Sequence, residues 1–305
     1  MAIEHSLKNG RGLIFVGGAP RSGTTLMQRV LSTHDDVFAG PEFDFIPSIV
    51  GLRNGMLRSI QSGRINALVD EETLDKAVRT FICTMFEERL TKSGKSFFCE
   101  KTPRNATVVP ELEKIFPDAR HIIMVRDPRD IVNSMRTVRE KFLSKGEKPP
   151  RFTRSIAASV QIINEYYRPS LIAAEKSDKI LLVYYEDFVN NPEREIRRVC
   201  DHTGLTYQSD MLNIENIVLA GAGVGGEHFY TPESLRQPIQ ASGVVSTKFL
   251  LSAEDVALVE RFTVEIAALD RYDLQPQSPT LLEKLKWYAS VLRKRMPFRE
   301  QLKRK

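Results

Sequence analysis

The chain has 305 residues, 42% of them hydrophobic, enough for a sizeable core and too many for a wholly disordered polymer. Its net charge of +5 is not evenly spread: residues 281–305 carry nine Lys or Arg against two Glu, so the tail holds +7 and the remainder −2. The body therefore lacks the general signature of a nucleic-acid binder, and no apolar run approaches the roughly 20 residues that a membrane-spanning helix requires.

Leu13 to Val16 reads as a short buried strand, followed by a turn rich in Gly and Pro and a helix from Thr24 to about Leu31. Asp70 to Thr91 repeats its apolar residues with a helical period, with acidic residues in the first turn and Gly94 beyond the end. Next come a strand at Ser96 to Cys99, a helix around Val108 to Phe116, and a strand at His121 to Val125 leading through Arg126-Asp127-Pro128 into another helix. A helix from about Ile156 to Ala174, a strand at Lys179 to Tyr184 and a helix from Pro192 to Thr203 continue the alternation. Such alternation predicts an α/β fold, a P-loop-like parallel sheet with helices on both faces, with ligands at the carboxyl ends of the strands. Residues 1–280 are expected to form one domain. Gly221–Gly226 and Pro232–Gly243 read as loops, and 281–305 as a basic amphipathic helix or tail.

The first twelve residues show no signal-peptide pattern, so a cytoplasmic location is the expectation. Cys83, Cys99 and Cys200 lie far apart with no zinc spacing, and are expected to be reduced, buried side chains.

Gly18-Ala19-Pro20-Arg21-Ser22-Gly23-Thr24-Thr25 occupies a strand-to-helix turn, where backbone N–H groups and the helix dipole favour a phosphate. Its spacing fits the triphosphate loop GxxxxGK[ST], except that Thr24 stands where lysine would reach the β- and γ-phosphates. A magnesium triphosphate is thus poorly matched, whereas a donor with one phosphate and one sulfate needs less charge and could use Arg21. The bland alternative is a glycine turn that serves only the chain path.

Pro20 to Thr25 resembles the 5′-phosphosulfate loop PRSGTT of the sulfotransferases that use PAPS (3′-phosphoadenosine 5′-phosphosulfate). Arg126 and Ser134, in Val125-Arg126-Asp127-Pro128-Arg129-Asp130-Ile131-Val132-Asn133-Ser134-Met135, match the family's arginine and serine for the 3′-phosphate. The alternative for Arg126 and Arg129 is ion pairing with Asp127 or Asp130. The resemblance extends through Glu100-Lys101-Thr102-Pro103, Tyr185-Glu186-Asp187-Phe188 and Arg236-Gln237-Pro238. It implies the sulfotransferase fold and a donor site formed by Pro20, Arg21, Ser22, Gly23, Thr24, Thr25, Arg126, Ser134 and Tyr185. Lys248-Phe249 is the nearest match to the family's closing Lys-Trp pair, in a shifted register, which makes Lys248 and Ser242 further donor candidates.

Glu42, 21 residues after Arg21, lies in a segment that most resembles the tyrosylprotein sulfotransferases, where this position holds the catalytic glutamate. The resemblance implies Glu42 as general base, Lys101 stabilising the bridging oxygen as its bond to sulfur breaks, and Arg21 assisting, with no metal. Glu42 as a merely exposed acid is the alternative, and Asp44 either orients substrate or is solvated. His34 resembles a structural turn of the family. A tyrosyl peptide, a carbohydrate or a small hydroxylated metabolite each fits as acceptor, and a homodimer is compatible. Two rival functions remain, a P-loop nucleotide kinase and a catalytically silent nucleotide-binding module. The apolar face of the tail, Leu281, Leu282, Leu285, Tyr288, Val291 and Leu292, reads as a helix packed on the domain, with peripheral membrane contact or docking of an acidic acceptor as the other readings.

Overall fold

The computed structural model describes residues 7–215, 239 and 251–274. The loops expected at 221–226 and 232–243, Arg236-Gln237-Pro238, Ser242, Lys248 and the basic tail lie outside the described residues. Two compact units are distinguished, one containing residues up to 126 together with 166–245, the other 127–165 together with 246 onward.

The first unit is a five-stranded parallel sheet, β1 (Leu13–Gly18), β2 (Val37–Ala39), β3 (Phe97–Lys101), β4 (Arg120–Val125) and β5 (Ile180–Tyr184), in the order β2-β3-β1-β4-β5. β1 is central and buried at all six positions, which is why its sequence is an unbroken apolar run rather than an alternating one. The pleat sends Ile14 and Val16 into one core cluster with Met27, Val30 and Leu31, and Leu13 and Phe15 into another with Ile82, Phe86 and Phe116. From β1 the chain builds β2 and β3 on one side and β4 and β5 on the other. The order reverses at β1, and ligands of parallel sheets bind at such a reversal, outside the carboxyl ends of the strands.

The helices of this unit are α1 (Thr24–Thr33), α2 (Ile46–Gln61), α3 (Glu71–Ser93), α4 (Val109–Ile115), and, after β5, a six-residue helix at Tyr185–Asn190 and a longer one at Pro192–Thr203. α3 starts where the Asp70 carboxylate accepts the Thr73 N–H at 2.8 Å and stops at Gly94, whose φ of +69° favours glycine. The three cysteines are buried and free. Burial pushes the Cys83 and Cys200 thiols up to about 11 and Cys99 further up, so they stay protonated.

The second unit contains α5 (Pro128–Ser144), started by Pro128 and by the Asp127 carboxylate accepting the Arg129 N–H, and a helix at Ala253–Phe262 opened by a Ser252–Asp255 capping box. α6 (Ile156–Ala174) contributes residues to both units. Among the described residues no helix is long and apolar enough to cross a membrane.

Candidate active site

β1 delivers the chain to the loop at Gly18, whose φ is +147° and whose Cβ, if present, would lie 2.6 Å from the Met124 carbonyl oxygen. Gly23, at φ +105°, has no room either: a Cβ would sit 2.7 Å from Cδ2 of Tyr185. Between them Arg21 takes φ +76°, a left-handed conformation that costs a non-glycine residue about 1–2 kcal/mol. The Ser22 N–H closes the turn on the Ala19 carbonyl at 3.0 Å.

α1 then opens at Gly23 with no side-chain cap, so its first N–H groups have no intrahelical acceptor. The Ser22 hydroxyl is fully buried and lacks a hydrogen-bond partner. Uncapped amides and an orphaned hydroxyl at one helix start are a cradle for a tetrahedral anion. At the position where a triphosphate loop needs its lysine, Thr24 is buried and uncharged. The residues present fit one phosphate or sulfate better than a magnesium triphosphate.

The next wall comes from the ends of β4 and β5. Arg126 follows β4 directly, and its backbone is clamped by the buried Tyr167 of α6: the Arg126 N–H donates to Tyr167 Oη at 2.9 Å, and that hydroxyl donates to the Arg126 carbonyl at 3.1 Å. The guanidinium donates to the Arg21 carbonyl at 3.3 Å and lies 4.3 Å from the centre of the Tyr185 ring. Arg21, Gly23, Arg126 and Tyr185 are thus brought together around the loop. Sequence reasoning missed Tyr167, because a tyrosine on a long helix looks like core until the fold puts its hydroxyl on the site arginine.

On the other side of β1, β3 ends at Lys101. Its Nζ donates to the Glu42 carboxylate and, at 3.4 Å, to Thr25 Oγ1. The lysine side chain is 4% exposed and the glutamate 45%, so a nearly buried cation faces an accessible carboxylate. The Glu42 loop is held by neighbours on both sides. Gln28 Nε2 donates to the Gly40 carbonyl at 2.6 Å, the Phe43 N–H donates to the Glu100 carboxylate at 3.2 Å, and the Asp44 N–H donates to Thr102 Oγ1 at 3.2 Å. Glu100 and Thr102 stand in the Glu100-Lys101-Thr102-Pro103 motif, whose sequence carries no sign of this hold on a loop 57 residues earlier. Asp44 and Arg104 are both exposed, 3.8 Å apart.

His34 is a turn residue, with Nδ1 accepting the Asp36 N–H at 3.0 Å and Nε2 paired with the Thr206 carbonyl at 2.9 Å. Ser134 lies half-buried on α5, in the second unit. In that unit Arg129 is committed to structure, bidentate to Asp127 and 2.8 Å from both Glu260 and the Tyr272 carbonyl; the Asp127 carboxylate, and after it Glu260, raise its pKa.

Uncapped amides at a sheet reversal, with an arginine on one side and a lysine–glutamate pair on the other, define a transferase for a small anionic group. Residues 14–209 match the sulfotransferase family. A Caenorhabditis briggsae protein described as a putative protein-tyrosine sulfotransferase is 30% identical over 251 residues, which cover 81% of this chain and 82% of that one. Protein-tyrosine sulfotransferase 1 of Danio rerio is 34% identical over 219 residues, covering 70% of this chain and 58% of the longer relative. The sulfotransferase domain of the Synechococcus PCC 7002 olefin synthase shares the fold, with a TM-score of 0.52 and 18% identity over 83% of this chain and 95% of that one. The chain belongs to the sulfotransferase family and is a PAPS-dependent sulfotransferase.

Proposed function

We propose that the acceptor is the phenolic hydroxyl of a tyrosyl residue in a peptide and that Glu42 is the general base. The observation that carries this reading is the Lys101 amine placed between the Glu42 carboxylate and Thr25 of the phosphate loop. One side chain then touches both the base and the donor's loop. The names of the relatives support the tyrosyl acceptor.

The donor supplies a sulfur already activated by its anhydride link to phosphate. The chain's part is placement and charge, as in phosphoryl transfer. The Gly23, Thr24 and Thr25 amides at the uncapped start of α1 and the Ser22 hydroxyl hold the 5′-phosphosulfate. Arg126, with its guanidinium over the Tyr185 ring, takes the 3′-phosphate, and Ser134 and Lys248 stay donor candidates by their resemblance to the family motifs alone. Glu42 accepts the phenolic proton as the acceptor oxygen bonds to sulfur, and the sulfur–bridging oxygen bond breaks with its electron pair left on the 5′-phosphate. Lys101, assisted by Arg21, meets that growing negative charge. The Glu42 side chain is 45% exposed and ion-paired with Lys101, so an acceptor hydroxyl can reach it.

Transfer of labelled sulfate from PAPS to tyrosyl peptides, oligosaccharides and small hydroxylated metabolites tests the acceptor. Labelling of peptides whose Tyr→Phe versions stay unlabelled is expected, and labelling confined to glycans would overturn it. Glu42→Gln should lower kcat by about 10²–10⁴-fold while adenosine 3′,5′-bisphosphate binds as before. Near-normal turnover would remove Glu42 from the role.

A further inference from the structure

We propose that Glu100 is a positioning residue for Glu42, fixing from beneath the backbone that presents the base. The inference rests on the reading of Glu42 as base and adds a residue that acts only through it.

Glu100 and Lys101 are consecutive in β3, so their side chains leave opposite faces of the sheet. Lys101 reaches the Glu42 carboxylate. Glu100, 1% exposed, reaches the backbone that follows Glu42. Its Oε1 accepts the Phe43 N–H at 3.2 Å and the Thr102 hydroxyl at 2.7 Å, and its Oε2 accepts from Asn105 Nδ2. The same Thr102 oxygen accepts the Asp44 N–H at 3.2 Å. The two amides after Glu42 therefore end on one carboxylate, the first directly and the second through one hydroxyl. Between them they brace Asp44 at φ +58°, in the left-handed region that few residues other than glycine, asparagine and aspartate visit.

The chemistry of the pocket explains a carboxylate there. The Phe43 N–H and Asn105 Nδ2 donate to Glu100, and the Thr102 hydroxyl donates to it while accepting from Asp44, so all three groups facing Glu100 are donors, which suits an acceptor-only ionised carboxylate. Burial pushes the Glu100 carboxyl up, and the hydrogen bonds from Thr102, Asn105 and Phe43 oppose that push. An apolar residue would fill the space without that cost but would leave the Phe43 amide and the Thr102 hydroxyl unpaired. Glutamine is the tolerable substitute. Its amide would face Asn105, whose Oδ1 is buried without a partner, and a flip of the Asn105 amide would turn that oxygen toward it.

Steady-state kinetics on Glu100→Ala, Glu100→Gln and Thr102→Val, alongside calorimetric titration with adenosine 3′,5′-bisphosphate, test the proposal. Glu100→Ala should lower kcat on the order of 10²-fold and Thr102→Val about tenfold, with nucleotide affinity and KM for PAPS nearly unchanged, and Glu100→Gln should recover most of kcat. A wild-type kcat in Glu100→Ala, or equal losses of kcat and nucleotide affinity, would overturn it, the latter marking a merely structural group. If Glu100→Ala does not fold, Thr102→Val decides by the same criterion. Glu42→Gln in the same series separates the two levels: normal turnover there sinks the base, whereas an inactive Glu42→Gln beside a normal Glu100→Ala sinks only the positioning role.

Discussion

Arg126 is held at three points: its backbone on the Tyr167 hydroxyl, its guanidinium on the Arg21 carbonyl, and its plane against the Tyr185 ring. A planar, permanently charged group fixed this way is pre-organised for a phosphate, and little of the binding energy goes into ordering it. Arg126→Ala should weaken binding of adenosine 3′,5′-bisphosphate by on the order of 10–100-fold while leaving thermal stability within a few degrees, read by calorimetry and a melting curve. Arg126→Lys should recover only a small part, because an ammonium keeps the charge but neither the fork nor the ring contact. Full recovery by lysine would mean that point charge alone matters at this position. A second nucleotide separates this enzyme from a kinase: with Thr24 in the lysine position, magnesium-ATP should bind far more weakly than adenosine 3′,5′-bisphosphate.

The loop and α1 act as one element, and Gly23 is where they could fail. Gly23→Ala places a Cβ 2.7 Å from the Tyr185 ring at φ +105°, so either the loop or the tyrosine must move. The expected result is a loss of about 1–3 kcal/mol in stability, with weaker nucleotide binding because the amides no longer converge. An unchanged nucleotide affinity would show that the loop is not the anion cradle. This strand–loop–helix unit was legible in the sequence because a buried central strand, a glycine turn and a helical period each leave a local mark. α3 was legible for the same reason, through Asp70 and Gly94 at its ends. α2 was not: it contains Gly51 and Gly55, poor helix formers, and forms because Ile46 and Val50 enter the core and the buried Arg53 pairs with Asp75 at 2.6 Å. β2, with three residues, is too short to show a period and is defined by pairing with β3. At the site, Glu42 and Lys101 could be matched by motif. The hold of Glu100 on the Phe43 amide could not, since it joins residues 57 apart and only the sheet order brings them together.

The stability of the sheet as a whole has a pH dependence set by a histidine that catalysis does not use. His121 lies in β4, opposite Phe15 of β1 and Ile180 of β5, fully buried and stacked on the Phe15 ring at 5.4 Å. Neither ring nitrogen has a hydrogen-bond partner. Burial, reinforced by the nearby His202, Lys179 and Arg120, pushes its pKa down to about 3. In the unfolded chain the same imidazole titrates near 6.5, so between about pH 6.5 and 3 the unfolded state holds a proton that the folded state refuses. Stability therefore falls as pH drops through that window, by about 2 kcal/mol from this residue alone at pH 5. His202, its pKa also lowered chiefly by burial, acts in the same sense. Glu100, raised by burial, acts in the opposite sense, so the raw acid limb is a sum. A difference between two proteins isolates the term. His121→Phe keeps an aromatic ring against Phe15 and removes the titration, and its urea midpoint relative to wild type should rise between pH 8 and pH 5 by the equivalent of about 2 kcal/mol. Parallel curves for the two proteins across that range would show that His121 meets a proton as easily folded as unfolded, and that the cost of acid lies elsewhere in the molecule.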